Sequence, residues 1–464
     1  INIYTYLNYA ISQNWIDTSK LGGNSYTSSE EIYQELLNYL ENYLNEDSDF
    51  DNLLYEYLIK SESISGAQIC AAAYEQGALP MDEEAYNGLL NGSVDSYTWL
   101  CSKIENLEIT PGQLALEPCS GGAVVTDPDT GDVLACVSYP GYDNNRLANT
   151  MDSRYYQQLN TGLSRPFYNK ATQEKTAPGS TYKMVSAVAG LTEGVISGSS
   201  IINCSGIFTE VTPSPRCWIS PGAHGGLNVV QALQESCNVF FYNVGYDLGI
   251  DSEGNYDSDL GIEKRAEYAR MFGLGETSGL EIPESEPEIS DEYAVQSAIG
   301  QGTNNYTVSQ LGRYVTAVAN EGTVYSLTLI DRTTDSNGKL ITDNEPEVVS
   351  TIDNVSSSTW DLVHEGMERM VSSSSTFSGL DISMAGKTGT AHISDIHPDN
   401  ALFVGYAPTD SPEIAVAVRI ANGFSSSYAA EIGRDITQIY FELDGSDELI
   451  TGHAAELGQA IAGD

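Results

Sequence analysis

The chain has 464 residues, enough for two or three domains with a sizeable buried core. Its 20 basic and 65 acidic residues leave a net charge of −45, which argues against nucleic acid or anionic lipid as a partner, because phosphate contacts need clustered Lys and Arg. The acidity reads as a solvated, self-repelling surface, and with 41% hydrophobic residues and 29 tyrosines the chain is globular rather than disordered. No run of 18 apolar residues offers a membrane span, and no signal peptide is visible.

Residues 1 to about 106 read as helical and polar. Ser28-Ser29-Glu30-Glu31 forms a capping box ahead of Ile32, Leu36, Leu37, Leu40 and Leu44 at helical spacing. A second helix is expected from Ser65 to Gln76, ended by Gly77 and Pro80. No cluster here has catalytic character, so the region reads as structural. Thr110-Pro111-Gly112-Gln113 predicts a short helix with Pro at its first position. Ala123 to Thr126, the turn Asp127 to Asp132 and Val133 to Val137 then predict a β-hairpin. From about 150 to 325 the pattern turns helical and loop-rich.

Within that stretch, Ala177-Pro178-Gly179 leads into Ser180-Thr181-Tyr182-Lys183 and a buried helix stopped near Gly194. Ser180 opens the helix, and Lys183 follows at i+3 on the same face. A serine hydroxyl needs a base to become a nucleophile, and a lysine serves only when neutral, through burial or a nearby positive charge. Alone, S-x-x-K has two fixed residues, and its bland reading is a capping serine beside a surface lysine. Two more motifs follow in order. Ser236-Cys237-Asn238 sits between an apolar helix, Leu227 to Leu233, and the apolar run Val239-Phe240-Phe241. Lys387-Thr388-Gly389-Thr390 follows Met384-Ala385-Gly386 and opens a segment of strands, Leu402 to Ala407 and Ile414 to Ile420, joined by the turn Pro408 to Pro412. A final amphipathic helix, Ala429 to Leu443, is expected to place Ile432, Ile436, Ile439 and Tyr440 on one face. Strands at both ends of a helical insertion predict an α+β domain: an antiparallel sheet covered by helices, an all-helical subdomain beside it, and a cleft between them.

The ordered set S-x-x-K, S-x-N, K-T-G resembles the penicilloyl serine transferases. From about 107 to 445 the chain resembles the transpeptidase domain of a class B penicillin-binding protein. The likeness extends to Gly122-Ala123-Val124-Val125-Thr126-Asp127, Ser138-Tyr139-Pro140-Gly141-Tyr142-Asp143, Asn169-Lys170-Ala171-Thr172, Gly300-Gln301-Gly302 and Phe403-Val404-Gly405-Tyr406-Ala407-Pro408. The resemblance implies two regions: 1–106, the remnant of a pedestal or dimerisation module, and 107–464, the transpeptidase domain. It implies a D,D-transpeptidase acting on peptidoglycan stem peptides, inhibited covalently by β-lactams. The remaining readings are a D,D-carboxypeptidase, a serine β-lactamase or a β-lactam-binding sensor. Ser180 would be the nucleophile, Lys183 its base, Ser236 a proton relay and Asn238 a ligand of the substrate amide. Lys387 would supply positive charge, Thr388 and Thr390 would bind the substrate carboxylate, and Gly389 would leave room for its backbone. The backbone N–H groups of Ser180 and Thr390 would form the oxyanion hole. The resemblance further implies work on the extracytoplasmic face of a bacterial membrane, an N-terminal anchor ahead of this chain, and contact with cell-wall synthesis machinery through the N-terminal region.

Glu286-Pro287-Glu288-Ile289-Ser290 looks superficially like the deacylating stretch of class A β-lactamases, but Ser290 stands where that stretch has asparagine, in an acidic, surface-like run. Five histidines make no H-E-x-x-H, and no P-loop is present, so no metal or cofactor is expected in the reaction. The seven cysteines are an odd number. Cys136 lies in an apolar strand pattern and reads as core. Cys204 and Cys217 flank a short loop and are expected as a disulfide or as thiols. With His224 they could start a zinc site, but spacing shows no fourth ligand.

Overall fold

A computed structural model of the chain describes residues 3–13, 15–17, 29–45, 47–61, 63–106, 108–109, 119–393 and 397–449. The Ser28 end of the first capping box and the helix expected from Thr110 lie outside these residues. The chain divides into two compact units, Ile1–Leu116 and one that begins at Glu117. Among its described residues, every regular element of the first unit is a helix. Helices Ile3–Ser12 and Ser29–Leu44 bury Leu7, Tyr33 and Leu36 together. Helices Gly66–Glu75, Glu83–Asn91 and Ser96–Glu105 close over a second small core of Cys70, Tyr74, Leu89 and Trp99. Local chemistry sets their starts: Ser65 and Gln68 form a full capping box, and Asp82 and Asp95 accept from the first-turn N–H groups of their helices.

The second unit is built on five antiparallel strands: β1 (Ser120–Thr126), β2 (Val133–Tyr139), β3 (Ala385–Ala391), β4 (Asn400–Ala407) and β5 (Ile414–Ala421). Their order is β2-β1-β5-β4-β3, so the hairpin that opens the domain pairs with the strand that ends it, Val124 opposite Ala417. Side chains alternate between two cores, as a strand period of two requires. Val124, Val404 and Ala417 face the helical subdomain, which covers the sheet with helix Val308–Ala319. Ala123, Val125, Phe403, Val416 and Val418 face the opposite way, toward Met370, Ala429 and Ala430. With both faces covered, β4 is buried along its whole length and β5 at all but one residue, which is why they read as continuous apolar runs.

The final helix runs Ser426–Tyr440, and its buried face is not the one its large residues predict. Ile432, Ile439 and Tyr440 are exposed, Ile436 packs at the margin, and the small residues Ala429, Ala430 and Gly433 meet the sheet. A Cβ on Gly433 would stand 2.4 Å from the Phe403 ring, so Phe403 fills the space that a larger residue on the helix would need.

A buried ion network ties the segment ahead of Ser180 to the sheet. Glu174 Oε2 accepts from Arg419 of β5 at 2.7 Å and lies 3.3 Å from Lys170 Nζ, both cations nearly fully buried. Burial alone would raise the Glu174 carboxyl, but the charges and hydrogen bonds of Arg419 and Lys170 outweigh it and hold the pKa below the usual value.

Candidate active site and metal centre

Ser180 lies in a single 3-10 turn, Gly179–Tyr182, that feeds directly into helix Lys183–Thr192. The turn presses against β3. Gly179 has φ +52, and a Cβ there would stand 2.3 Å from the Thr390 carbonyl oxygen, so the position before the nucleophile requires glycine twice over. Gly389 is tight for a related reason: its missing side chain would meet Pro178 O and Thr181, so the space it leaves is filled by the nucleophile's own turn. Helix Lys183–Thr192 is apolar and buried over nearly all its length, which carries the Lys183 side chain into the interior.

There the three motifs meet. Lys183 Nζ donates to Asn238 Oδ1 at 2.7 Å, to the Ser236 carbonyl at 2.7 Å and to Ser236 Oγ at 3.1 Å. Lys387 Nζ, from the middle of β3, donates to the same Ser236 Oγ at 3.0 Å and to Thr388 O at 3.1 Å. One hydroxyl thus bridges two fully buried lysines from motifs 204 residues apart in the sequence. Ser236 holds this position with φ +51, a left-handed conformation rare for serine, fixed by its N–H to Leu233 O and by Cys237 N–H to Ala232 O. The Phe241 ring centroid lies 5.7 Å from Lys183 Nζ.

A cleft of about 380 Å³ opens onto this network and is lined by Ser180, Ser236, Asn238, Thr388, Gly389 and Thr390. Six of the eight residues singled out in the sequence therefore line one space, and Lys183 and Lys387 lie buried beneath it. A larger hollow of about 450 Å³, beside Ser372 to Ser378, holds Glu368 but no nucleophile with a base at hand, so chemistry rather than size selects the cleft. Sequence reasoning missed several residues of the wall: Trp218, Glu235, Met370, Ser373, Ser374 and the His392–Asp399 pair, whose Nδ1 and Oδ1 are 2.9 Å apart. They carry no motif, and only folding brings them to the cleft. Glu286 and Glu288 are exposed and absent from its lining; Glu288 pairs with Lys175 and accepts from Asn305 at 3.3 Å.

The described cysteines form no disulfide. Cys204, Cys217, His224 and Cys237 instead bring their donor atoms within 4.8 Å of one another, so the fourth ligand missing from the sequence reading is Cys237, the middle residue of S-x-N. Its position inside a catalytic motif hid it, although the intervals of 13, 7 and 13 residues were open to inspection. Tetrahedral zinc with sulfur ligands at about 2.3 Å sets its donors roughly 3.8 Å apart, so a small contraction suffices. The donor chemistry fits as well. Contact with Cys237 lowers the Cys217 thiol despite its burial, and the same contact with burial pushes Cys237 up. His224 Nδ1 stands 3.6 Å from Cys217 Sγ, while its buried Nε2 has no hydrogen-bond partner. With all four positions filled by protein, an ion here would be structural, with no open position for substrate.

The penicillin binding protein transpeptidase domain family matches residues 121–438. The chain belongs to this family. It is 30% identical over 364 residues to the peptidoglycan D,D-transpeptidase MrdA of Haemophilus influenzae, covering 70% of this chain and 53% of that protein. It is 29% identical over 354 residues to penicillin-binding protein 2B of Streptococcus pneumoniae, covering 68% of this chain and 48% of that one. The chain thus spans about half the length of the curated relatives it matches. Among solved structures, PBP2 of Pseudomonas aeruginosa superposes with a TM-score of 0.61 at 26% identity, over 78% of this chain and 80% of that one. The α+β fold and the class B kinship expected from the motifs agree with these findings.

Proposed function

We propose that this family member is a peptidoglycan D,D-transpeptidase working through an acyl-enzyme on Ser180. The observation that carries the reading is the Ser236 hydroxyl held between Lys183 and Lys387. With Lys183 in its neutral form, Ser180 Oγ attacks the carbonyl of the penultimate D-alanine of a stem peptide and gives its proton to Lys183. The proton passes by Ser236 Oγ to the nitrogen of the terminal D-alanine as the C–N bond breaks. The N–H groups of Ser180 and Thr390 hold the oxyanion, each worth about 3 kcal/mol. Thr388 and Thr390 bind the terminal carboxylate with Lys387 supplying positive charge from beneath, and Asn238 holds the donor amide. The amine of a second stem peptide then attacks the ester, forming the cross-link and restoring Ser180. Such work places the domain on the extracytoplasmic face of a bacterial membrane, with the helical N-terminal unit available to cell-wall synthesis partners.

β-Lactams would enter the same route and stall at the ester. A β-lactamase needs a base and a water over that ester, and the location of Glu286 and Glu288 outside the cleft weighs against it. The test is intact mass after benzylpenicillin, with peptide mapping. One penicilloyl group on Ser180, absent in a folded Ser180→Ala variant, is expected; an adduct on any other residue would overturn the assignment.

A further inference from the structure

Behind the S-x-x-K turn lies a cation that the acyl-transfer steps do not use. Arg265, on helix Ser258–Met271, is fully buried and absent from the lining of the cleft. No carboxylate pairs with it among the described residues; the groups that face its charge are the hydroxyls of Tyr182, Tyr306 and Tyr256. Burial pushes the Tyr182 phenol up to about 12 although the guanidinium draws it down, so the phenol is neutral and the cation stays uncompensated. A buried charge of this kind costs stability, and an apolar residue of similar volume can often replace it without loss. Packing alone therefore gives no reason for arginine at this place.

What a guanidinium offers is a rigid fork of donors, and here its two branches reach two different segments. Nη1 donates to the Ala294 carbonyl, at the start of the short helix Ala294–Ser297. Nη2 and the Tyr182 hydroxyl lie against each other, sealed from solvent and hydrogen-bonded to nothing else. These two segments grip each other at the nucleophile. Tyr182 closes the Gly179–Tyr182 turn that carries Ser180. The chain from Ala294 runs on to Gly300, whose carbonyl accepts from the Gly179 N–H at 3.1 Å, and to Gln301 on the cleft wall. A Cβ on Gly300 would stand 2.1 Å from Gly179 O and 2.8 Å from Tyr182 Cβ, so neither segment can shift without the other. The entry to the second segment is strained, with Tyr293 at φ +54, a conformation that persists only where surrounding contacts hold it.

We propose that Arg265 is a positioning residue for acylation: its fork pins Tyr182 and the 294–301 segment to one point and thereby sets where Ser180 Oγ and its N–H stand against the substrate carbonyl. The inference rests on the acyl-transfer reading above. Arg265 touches no reacting atom and acts only through the turn. Displacing a reacting group by about 1 Å can cost on the order of a hundredfold in rate. Binding of the substrate, through Thr388, Thr390 and Asn238, does not pass through Arg265 and is left alone.

The test follows acylation by nitrocefin in stopped flow, which separates the limiting rate from the half-saturating concentration. Arg265→Met, which keeps the length of the stem and loses the fork, is expected to lower the limiting rate about a hundredfold. Its half-saturating concentration should stay within about twofold of native and its melting temperature within a few degrees, since an apolar side chain fills the same volume. Arg265→Lys keeps the charge but cannot hold both branches at once, so its rate is expected between the two. Tyr182→Phe should slow acylation about tenfold alone and add nothing to Arg265→Met, because its hydroxyl acts only through the guanidinium. Should Arg265→Met not fold, Arg265→Lys and Tyr182→Phe are read in the same way: a lower limiting rate at unchanged half-saturation supports the proposal. A limiting rate within threefold of native in every variant would overturn it. So would a rate and a half-saturation that worsen in step with a fallen melting temperature, the mark of a merely structural arginine. Slowing by Tyr182→Phe that adds in full to that of Arg265→Met would overturn the shared route through the turn. Failure of the native protein to form any adduct on Ser180 would overturn the acyl-transfer reading itself, a result distinct from all of these.

Discussion

Replacing Ser236 separates its chemical role from its conformational cost. Its hydroxyl lies 3.0 and 3.1 Å from two buried lysine nitrogens; with Lys387 charged and Lys183 the neutral base, the two bonds are worth about 1.5–3 and about 0.5–1.5 kcal/mol. Lys183 retains Asn238 Oδ1 and the residue 236 carbonyl, and Lys387 retains Thr388 O, so the loss falls short of leaving either bare. Ser236→Ala should therefore cost about 2–4 kcal/mol. Ser236→Gly removes the same hydroxyl but relieves the left-handed φ of +51, which costs a non-glycine residue roughly 1–2 kcal/mol. The glycine variant should thus melt higher than the alanine variant, by a few degrees for a domain of this size. Their chemistry should be equal: with the relay gone, acylation by a fluorescent penicillin slows by about 10²–10⁴ in both. Stopped-flow acylation and thermal melting measure the two quantities separately. Acylation within threefold of native in the glycine variant would refute the relay, and an alanine variant as stable as the glycine one would refute the strain.

Three further outcomes are expected. Lys183→Arg should lose acylation by several orders of magnitude, because guanidinium stays protonated and cannot act as base; a rate within tenfold of native would remove that role from Lys183. Glu286→Gln and Glu288→Gln should leave the lifetime of the penicilloyl ester unchanged, as followed by intact mass, whereas rapid nitrocefin turnover lost in either variant would make the protein a hydrolase. Glu174→Gln strands Lys170 and Arg419 and should destabilise by about 3 kcal/mol at neutral pH. Because the folded pKa of Glu174 is depressed, its contribution is fully present above the ordinary carboxylate value of 4.5 and lost as pH falls through the lower folded value. The gap between native and variant in denaturant titrations should accordingly close only in acid, and a gap that is constant with pH would contradict the ionic origin.

What the sequence determined by itself is what short-range chemistry encodes. The three motifs, the β1–β2 hairpin with its Asp127 to Asp132 turn and the apolar strands of the C-terminal part were legible because period, turn residues and motif order are local properties. The ends of those elements in the structure fall within a few residues of the expected ones. What only the tertiary structure decided depends on groups far apart in the chain. The packing of β3 against the Gly179–Tyr182 turn and helix Ser357–Ser373 brings Lys387 to the Ser236 hydroxyl, and no local pattern reports a hydrogen bond spanning 151 residues. The burial of the last helix on its alanines and Gly433 follows from the bulk of Phe403 on the facing strand, which a moment drawn from one helix cannot contain. The same holds for Cys237. Its role in the sequence is to space Ser236 from Asn238, and it becomes the fourth donor only because the 204–224 loop folds back over that motif, a long-range closure whose gain lies in shared burial and donor chemistry rather than in any propensity of the loop itself.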